Sequence, residues 1–217
     1  MRTLQLGIKR CLDVVCSLVI LVGLLPVWLV LACLVGASVS GSVFFRQRRT
    51  GWRNQPFRIV KYRTMNECLP MEEAFDIDED ETRSPRFGRF LRRTKLDEMP
   101  QLWNVLIGQM SIVGPRPYIE RQSAQFSPHR LDMRPGMTGL AQVNGNCSLS
   151  WEDREVYDLY YNDHFSLGLD LWILLRTLRV IFCGEKRCLR APDEAMRQSI
   201  RRGSESYEVP VHHTEAV

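Results

Sequence analysis

Residues 14–39 read VVCSLVILVGLLPVWLVLACLVGASV, and this apolar run constrains the fold more than any other stretch of the chain. It contains no Asp, Glu, Lys or Arg. A straight helix of that length would reach about 39 Å, which exceeds the roughly 30 Å of hydrocarbon in a bilayer. The sequence therefore predicts insertion into a membrane, and the length of the run argues against a cleavable signal peptide.

Pro26 lies near the middle of this run, where proline removes a backbone hydrogen bond and kinks a helix. Each half would then reach about 20 Å, enough to enter one leaflet. Both flanks are basic, with Lys9 and Arg10 before the run and Arg46 after it, and positive residues favour the cytoplasmic side. A helix that bends and returns, and an ordinary kinked single-pass helix, both agree with these features.

The composition suits one ordinary domain with an anchor, since the chain has 217 residues and a formal net charge of +4. Positive residues cluster after the apolar run, which indicates an anionic partner such as lipid headgroups or a nucleotide. The cluster comprises Arg46, Arg48, Arg49, Arg53, Arg58, Lys61 and Arg63. The seven cysteines form no CxxC pair, so free thiols in a reducing cytosol are expected. No P-loop, dinucleotide-binding or zincin motif is present.

The remainder of the chain predicts a β-hairpin followed by helices. Residues 42–65 hold two strand-like runs around a turn that contains Gly51 and Asn54. Helices are predicted over residues 87–93, 97–108, 151–161 and 167–183. The last helix is apolar but contains three charges, so a core or membrane-interface position is more natural than a span. Two stretches lack periodicity, which predicts an acidic surface loop at residues 67–81 and a polar, partly disordered tail at residues 184–217.

Asp97 and Glu98 fall at the start of a predicted helix. Free backbone N–H groups and the helix dipole would keep a carboxylate there ionised. An ionised aspartate can act as a nucleophile or hold a divalent cation, although an acid in a first turn is often only a cap. Arg116, held between two prolines, offers a fork suited to phosphate. Further arginines precede the pair, namely Arg83, Arg86, Arg89, Arg92 and Arg93.

Several short motifs follow one another along the chain. They are Lys9-Arg10-x-x-Asp13, Phe45-Arg46-Gln47, Phe57-x-Ile59-x-Lys61-Tyr62-Arg63, Leu96-Asp97-Glu98-x-Pro100-Gln101, Gly114-Pro115-Arg116-Pro117 and Arg134-Pro135-Gly136-x-Thr138-Gly139. In this order they resemble the bacterial sugar transferase family, the monotopic phosphoglycosyl transferases that start glycoconjugate assembly on polyprenyl phosphate. The resemblance covers residues 7–183 and suggests the minimal catalytic form of that family.

The resemblance implies a mainly helical α+β fold, in which a re-entrant membrane helix kinked at Pro26 precedes a β-hairpin and a small domain with amphipathic interfacial helices. The boundaries would be residues 1–40 for the membrane helix, 41–183 for the catalytic domain and 184–217 for the tail. The protein would lie at the bacterial inner membrane with its catalytic domain on the cytosolic face. Expected partners are a UDP-sugar, polyprenyl phosphate and anionic phospholipid; nucleic acid is not expected, and a homodimer is left open.

The resemblance also implies a two-step reaction that uses Mg²⁺. Asp97 would attack the sugar-linked phosphorus of the UDP-sugar and release UMP, and undecaprenyl phosphate would then accept the phospho-sugar. This would be the first membrane step of exopolysaccharide, O-antigen, capsule or glycoprotein glycan synthesis. Glu98 would serve in proton transfer or, with Asp97, in holding the metal, and both roles stay open. Substrate binding would fall to Lys61, Arg63, Arg92 and Arg116.

Two residues depart from the family pattern. Leu25 stands where a serine often precedes the kinking proline, so the bend would rest on Pro26 and packing. Asn146 stands where arginine is common, which removes one potential contact with phosphate or uridine. Two other hypotheses are an enzyme with another lipid acceptor and a non-catalytic membrane adaptor, for which we expect salt-sensitive liposome binding without UMP release.

Overall fold

The computed structural model describes residues 2–65 and 85–205 and has a mainly helical α+β fold with two small two-stranded sheets. The elements are α1 (Arg2–Gly23), α2 (Leu25–Ser38), β1 (Phe44–Thr50), β2 (Pro56–Tyr62), α3 (Arg86–Thr94), α4 (Gln101–Leu106), β3 (Ser111–Val113), α5 (Glu120–Ser123), β4 (Gly136–Thr138), α6 (Leu140–Val143), α7 (Trp151–Asp163), α8 (Leu167–Cys183) and α9 (Glu194–Glu205). The predicted mainly helical α+β class and the predicted hairpin are confirmed. The predicted acidic loop and Arg83 lie outside the described residues.

Helices α1 and α2 form a bent pair with an angle of 68° between them. The break is at Leu24, and Pro26 sits in the first turn of α2, where a missing N–H costs no helical hydrogen bond. Within residues 2–65 and 85–205, no single helix is long and apolar enough to cross a membrane, whereas this pair together meets that test of length and composition. Both helices expose apolar side chains, including Leu4, Val15, Val19, Val22, Leu29 and Val30.

Contacts of Trp28 support the bend from inside. Its indole N–H donates to the Ile20 carbonyl across the break (3.4 Å), and its own carbonyl accepts from the Tyr62 hydroxyl (2.9 Å). Leu25, by contrast, is exposed. The bend therefore rests on Pro26 and on packing between α2 and β2, as the sequence predicts for a chain without the usual serine.

A buried polar network joins α1 to the remainder of the molecule. Lys9 Nζ pairs with Asp170 Oδ2 of α8 at 2.6 Å, and the Tyr161 hydroxyl donates to the other oxygen of Asp170 at 2.7 Å. Nearby, Asp13 accepts hydrogen bonds from the Ser111 hydroxyl and the Ile112 N–H at the start of β3. The Lys-Arg-x-x-Asp motif thus connects the apolar helix to the domain that holds the candidate site.

The second sheet pairs β3 with β4 in parallel, which the sequence analysis did not predict. The two backbones approach so closely that a Cβ on Gly114 or Gly136 would lie within 2.3 Å of backbone atoms of the other segment. Only glycine permits this approach. The Gly136 N–H donates to the Pro115 carbonyl (2.8 Å) and so is not available to a ligand. The Arg134–Gly139 motif therefore supports the Pro-Arg-Pro segment.

The segment after α8 is more regular than predicted, because residues 185–188 form a 3-10 turn and α9 follows. Asp193 accepts from the Met196 N–H at the start of α9, and Arg197 pairs with Asp153 of α7. These long-range contacts order a polar stretch that has no periodic pattern of its own. Residues 206–217 lie outside the described residues, so the predicted disorder of the chain end stays a prediction.

Candidate active site

The Asp97-Glu98 pair lies in a single 3-10 turn (Leu96–Glu98) between α3 and α4. Lys95 ends α3 in a left-handed conformation (φ 57°), which turns the chain sharply enough to start the 3-10 turn at the next residue. Helix α4 begins only at Gln101, so the predicted helix over residues 97–108 is corrected to a 3-10 turn followed by a shorter helix. The short turn and a six-residue helix provide little dipole to ionise a carboxylate.

Lys61 of β2 reaches the pair from the hairpin. Its Nζ lies 2.6 Å from Glu98 Oε1, and both side chains are about one-fifth exposed. Burial disfavours the ionised form of Glu98, but neighbouring cations outweigh burial and lower its pKa to about 2. These cations are Lys61, Lys95 and Arg116. Glu98 is therefore a carboxylate at neutral pH.

At Asp97, in contrast to Glu98, the effect of burial on the pKa outweighs that of the nearby cations. Burial, followed by the charge of Glu98, raises the pKa of Asp97 to about 6. Three cations oppose the increase, namely Lys61, Lys95 and Arg92. Asp97 Oδ1 is buried and has no hydrogen-bond partner among the described residues. Asp97 thus ionises at a pH of about 6, with surrounding cations opposing the effect of burial. The expected contribution of a helix N-terminus stays a prediction.

Arg116 follows β3 and has a fixed backbone. Its carbonyl accepts a hydrogen bond from Arg130, a fully buried side chain that pairs with Asp158 at 2.8 Å. Its guanidinium donates through Nη1 to Asn146 Oδ1 at 2.7 Å. Since its charge acts on both Glu98 and Lys95, it belongs to the same group of charges.

The four predicted substrate-binding residues divide into two groups. Lys61, Arg92 and Arg116 all act on the carboxylates. Arg63 is buried, and its Nε donates to the Ser42 carbonyl at 2.7 Å, at the junction between α2 and β1. Its described contacts support a structural role at that junction.

Lys95 and Glu185 are site residues that the sequence analysis missed. Lys95 Nζ pairs with Glu185 Oε1 at 2.5 Å, and its charge lowers the pKa of both Asp97 and Glu98. The position of Lys95 two residues before Asp97 was an available signal. Glu185 is 90 residues away in sequence, and no local pattern indicates it.

A divalent cation would fit beside the two acids. Mg²⁺ typically binds one or two carboxylates and completes its shell with water and substrate phosphates. The unpartnered Oδ1 of Asp97 and the ionised Glu98 suit that role. Across the described ranges, no group of three or more His, Cys, Asp or Glu side chains could hold a metal alone. The residues therefore fit a metal that shares its ligands with a phosphate substrate.

Comparison with known proteins decides the family, because a model described as "Bacterial sugar transferase" matches residues 4–184. The chain belongs to the bacterial sugar transferase family. Over 181 residues it is 38% identical to a UDP-glucose:undecaprenyl-phosphate glucose-1-phosphate transferase of Klebsiella pneumoniae, with 78% of this chain and 39% of that protein covered. The chain thus spans well under half of that relative.

Two shorter relatives are covered more fully. The chain is 36% identical over 186 residues to the uncharacterized sugar transferase EpsL of Bacillus subtilis, covering 82% of this chain and 89% of EpsL. It is 37% identical over 191 residues to the exopolysaccharide production protein ExoY of Rhizobium meliloti, covering 80% and 84%. The family assignment therefore holds over nearly the full length of these two proteins.

Proposed function

We propose that this chain transfers a phospho-sugar from a UDP-sugar to undecaprenyl phosphate, with release of UMP, through a covalent intermediate on Asp97. The observation that carries the proposal is the buried, unpartnered Oδ1 of Asp97 within reach of three cations. An active site that transfers a phosphate group needs both a nucleophile and fixed positive charges. The names of the sugar transferase relatives support the substrate classes and a place in exopolysaccharide synthesis or a related glycan pathway.

The reaction would proceed in two displacements at one phosphorus. In the first, an oxygen of Asp97 bonds to the sugar-linked phosphorus while the bond to the bridging oxygen breaks, and UMP leaves with the electron pair. In the second, a phosphate oxygen of undecaprenyl phosphate attacks the same phosphorus, and Asp97 leaves as a carboxylate. The product is an undecaprenyl-diphosphate sugar, and no further co-reactant is needed.

Lys61, Arg92 and Arg116 would bind the anionic groups throughout, because the transferred group is charged in every state. Mg²⁺ bound by Asp97, Glu98 and substrate phosphates would neutralise charge that develops on the leaving oxygen. Glu98 has a pKa of about 2 and so holds no proton to donate at neutral pH. Of its two open roles, we therefore propose the metal shell, together with the positioning of Lys61 (2.6 Å).

The experiment for this function is UMP release from a panel of UDP-sugars with undecaprenyl phosphate and Mg²⁺, combined with mass spectrometry of the protein. We expect a phospho-sugar adduct with the cognate donor and none in Asp97→Asn. Asp132→Asn, an exposed carboxylate paired with His129, is the matched control and should form the adduct. A fully active Asp97→Asn protein would overturn the nucleophile. Salt-sensitive liposome binding with no UMP release would favour the adaptor.

The bent pair α1–α2 would enter and leave the same leaflet of the bacterial inner membrane. Its exposed apolar surface and its 68° bend support this arrangement. Exposed apolar side chains of α4, of Ile107 directly after it and of α8 would lie in the membrane interface. Those of the two helices include Trp103, Leu171, Leu175, Leu178 and Phe182. We expect an N-terminal tag to be accessible only from the cytosolic side; labelling from the periplasmic side would instead show a single-pass helix.

A further inference from the structure

Asn146 occupies a constrained position next to the candidate site. It is 4% exposed and left-handed (φ 46°), a conformation that asparagine tolerates better than most residues. Its Oδ1 accepts from Arg116 at 2.7 Å, while its Nδ2 donates to Glu185 Oε1 at 3.0 Å. The side-chain amide of Asn146 therefore connects the guanidinium of Arg116 to the carboxylate of Glu185, and both its oxygen and its nitrogen are hydrogen-bonded.

Glu185 is held firmly by the segment that contains it. The Arg190 N–H donates to the Asn144 carbonyl, and the Tyr157 hydroxyl donates to the Arg190 carbonyl, both at 2.8 Å. Cys188 between them is buried in the core. The same Oε1 of Glu185 that accepts from Asn146 also accepts from Lys95 at 2.5 Å. A continuous chain of contacts thus runs from Arg116 through Asn146 and Glu185 to Lys95.

We infer that Asn146 and Glu185 form a polar bridge that positions Arg116 and Lys95 to receive the diphosphate of the nucleotide-sugar donor. This inference rests on the proposed function. Two cations close together repel each other, and the shared carboxylate offsets that repulsion before the donor arrives. Side chains that are already in place lose less conformational entropy when they bind a phosphate.

The bridge depends on an amide at position 146. An arginine there could pair with Glu185 but has no acceptor for the guanidinium of Arg116. An asparagine both accepts and donates, so the orientation of Arg116 becomes dependent on Glu185. Glu185 lies one residue beyond the segment matched by the family model. The positioning of Arg116 in this chain therefore uses a residue outside the family segment.

The test compares glycine and aspartate at position 146. Asn146→Gly keeps the left-handed conformation and the charge but removes the amide. We expect the KM for the UDP-sugar and the Kd for UDP to rise about tenfold, with kcat within about threefold of the parent. Asn146→Asp places two carboxylates together and should weaken UDP binding similarly. Adding Glu185→Gln exchanges amide and carboxylate along the bridge and should recover the UDP Kd to within about threefold.

Asn54→Gly is the matched control, since Asn54 is an exposed left-handed residue (φ 60°) in the hairpin turn. It should change neither constant. Unchanged UDP binding in Asn146→Gly, or a double variant that binds UDP more weakly than Asn146→Asp, overturns the bridge. Equilibrium binding of UDP needs no turnover. A parent protein that binds UDP but releases no UMP therefore contradicts the proposed function, while the same variants still decide the bridge.

Discussion

At Asp97, burial and the adjacent Glu98 raise the pKa to about 6, so the proposed nucleophile is mostly ionised only above that pH. An attacking carboxylate must be deprotonated. We therefore expect kcat/KM for UMP release to rise with pH and to level off above about pH 6. A profile of kcat/KM against pH at constant ionic strength measures this rise, the acidic limb of the profile. A flat profile between pH 5 and pH 8 would contradict it.

Substitution of Lys95 should shift the acidic limb of the pH profile of kcat/KM in a known direction. Its charge lowers the pKa of Asp97, so removing that charge raises the pKa. In Lys95→Met, the midpoint of the acidic limb should move to higher pH, and Lys95→Arg should restore it. Arg93→Met is the matched control, since Arg93 is an exposed neighbour whose charge is not among the main causes of the Asp97 shift. A limb that moves to lower pH in Lys95→Met would show that another group titrates.

Glu98→Gln tests the proposed metal-binding role of Glu98 against a role in proton transfer. If Glu98 belongs to the metal shell, the Mg²⁺ concentration for half-maximal rate should rise about tenfold or more. The acidic limb should also move to lower pH, because Glu98 raises the pKa of Asp97. An unchanged Mg²⁺ requirement with a strongly reduced kcat would instead favour proton transfer. Mg²⁺ titrations at saturating donor distinguish these outcomes.

At the scale of elements, the bend between α1 and α2 has two independent supports. Pro26, which lacks a backbone N–H, lies in the first turn of α2, and the Trp28 indole N–H donates to the Ile20 carbonyl across the break. We expect Pro26→Leu or Trp28→Phe alone to leave an N-terminal tag on the cytosolic side. The double variant should transfer a measurable fraction of tags to the periplasmic side. Equal labelling in the double variant and the parent would mean that tertiary packing alone fixes the bend.

Elements with local patterns could be predicted from the sequence. Helix α8 (Leu167–Cys183) was predicted with its observed bounds, because an apolar stretch starts after Ser166, which caps it, and stops at Gly184. The hairpin followed from its turn residues. The parallel pair β3–β4 was not predictable, since each strand has three residues and their pairing depends on the close approach of two glycines.

The candidate site divides in the same way. Asp97, Glu98 and Arg116 each belong to a motif of adjacent residues, and the sequence predicted that these residues share one site. The raised pKa of Asp97 was not predicted, because it depends on the burial of Asp97 in the folded chain. The same holds for Asn146 and Glu185, which are 39 residues apart and meet only in the folded chain. Sequence patterns identified the candidate site residues, whereas tertiary contacts set their charges and orientation.

At the scale of the whole molecule, the apolar helix pair is part of the catalytic fold. Arg10 donates to the Val105 and Leu106 carbonyls at the end of α4, the helix that follows the two acids. Lys9 and Asp13 contact α8 and β3. We expect a fragment that starts at residue 39 to lose UMP release and to become sensitive to limited proteolysis. A soluble, active fragment would show that the helix pair is a detachable anchor.

The buried pair Lys9–Asp170 tests this coupling without deleting a helix. Lys9→Met leaves a carboxylate buried without its cation, which costs about 3 to 5 kcal/mol of unfolding free energy. Lys9→Met/Asp170→Leu should recover much of that loss, because it removes the buried charge. The exposed pair Arg48–Glu120 is the control, and Arg48→Met should cost under about 1 kcal/mol. Denaturation in mixed micelles measures these differences. Equal effects of the two single variants would mean that the buried pair adds no more stability than an exposed pair, whereas a loss confined to Lys9→Met would show that the contact between α1 and α8 stabilises the fold.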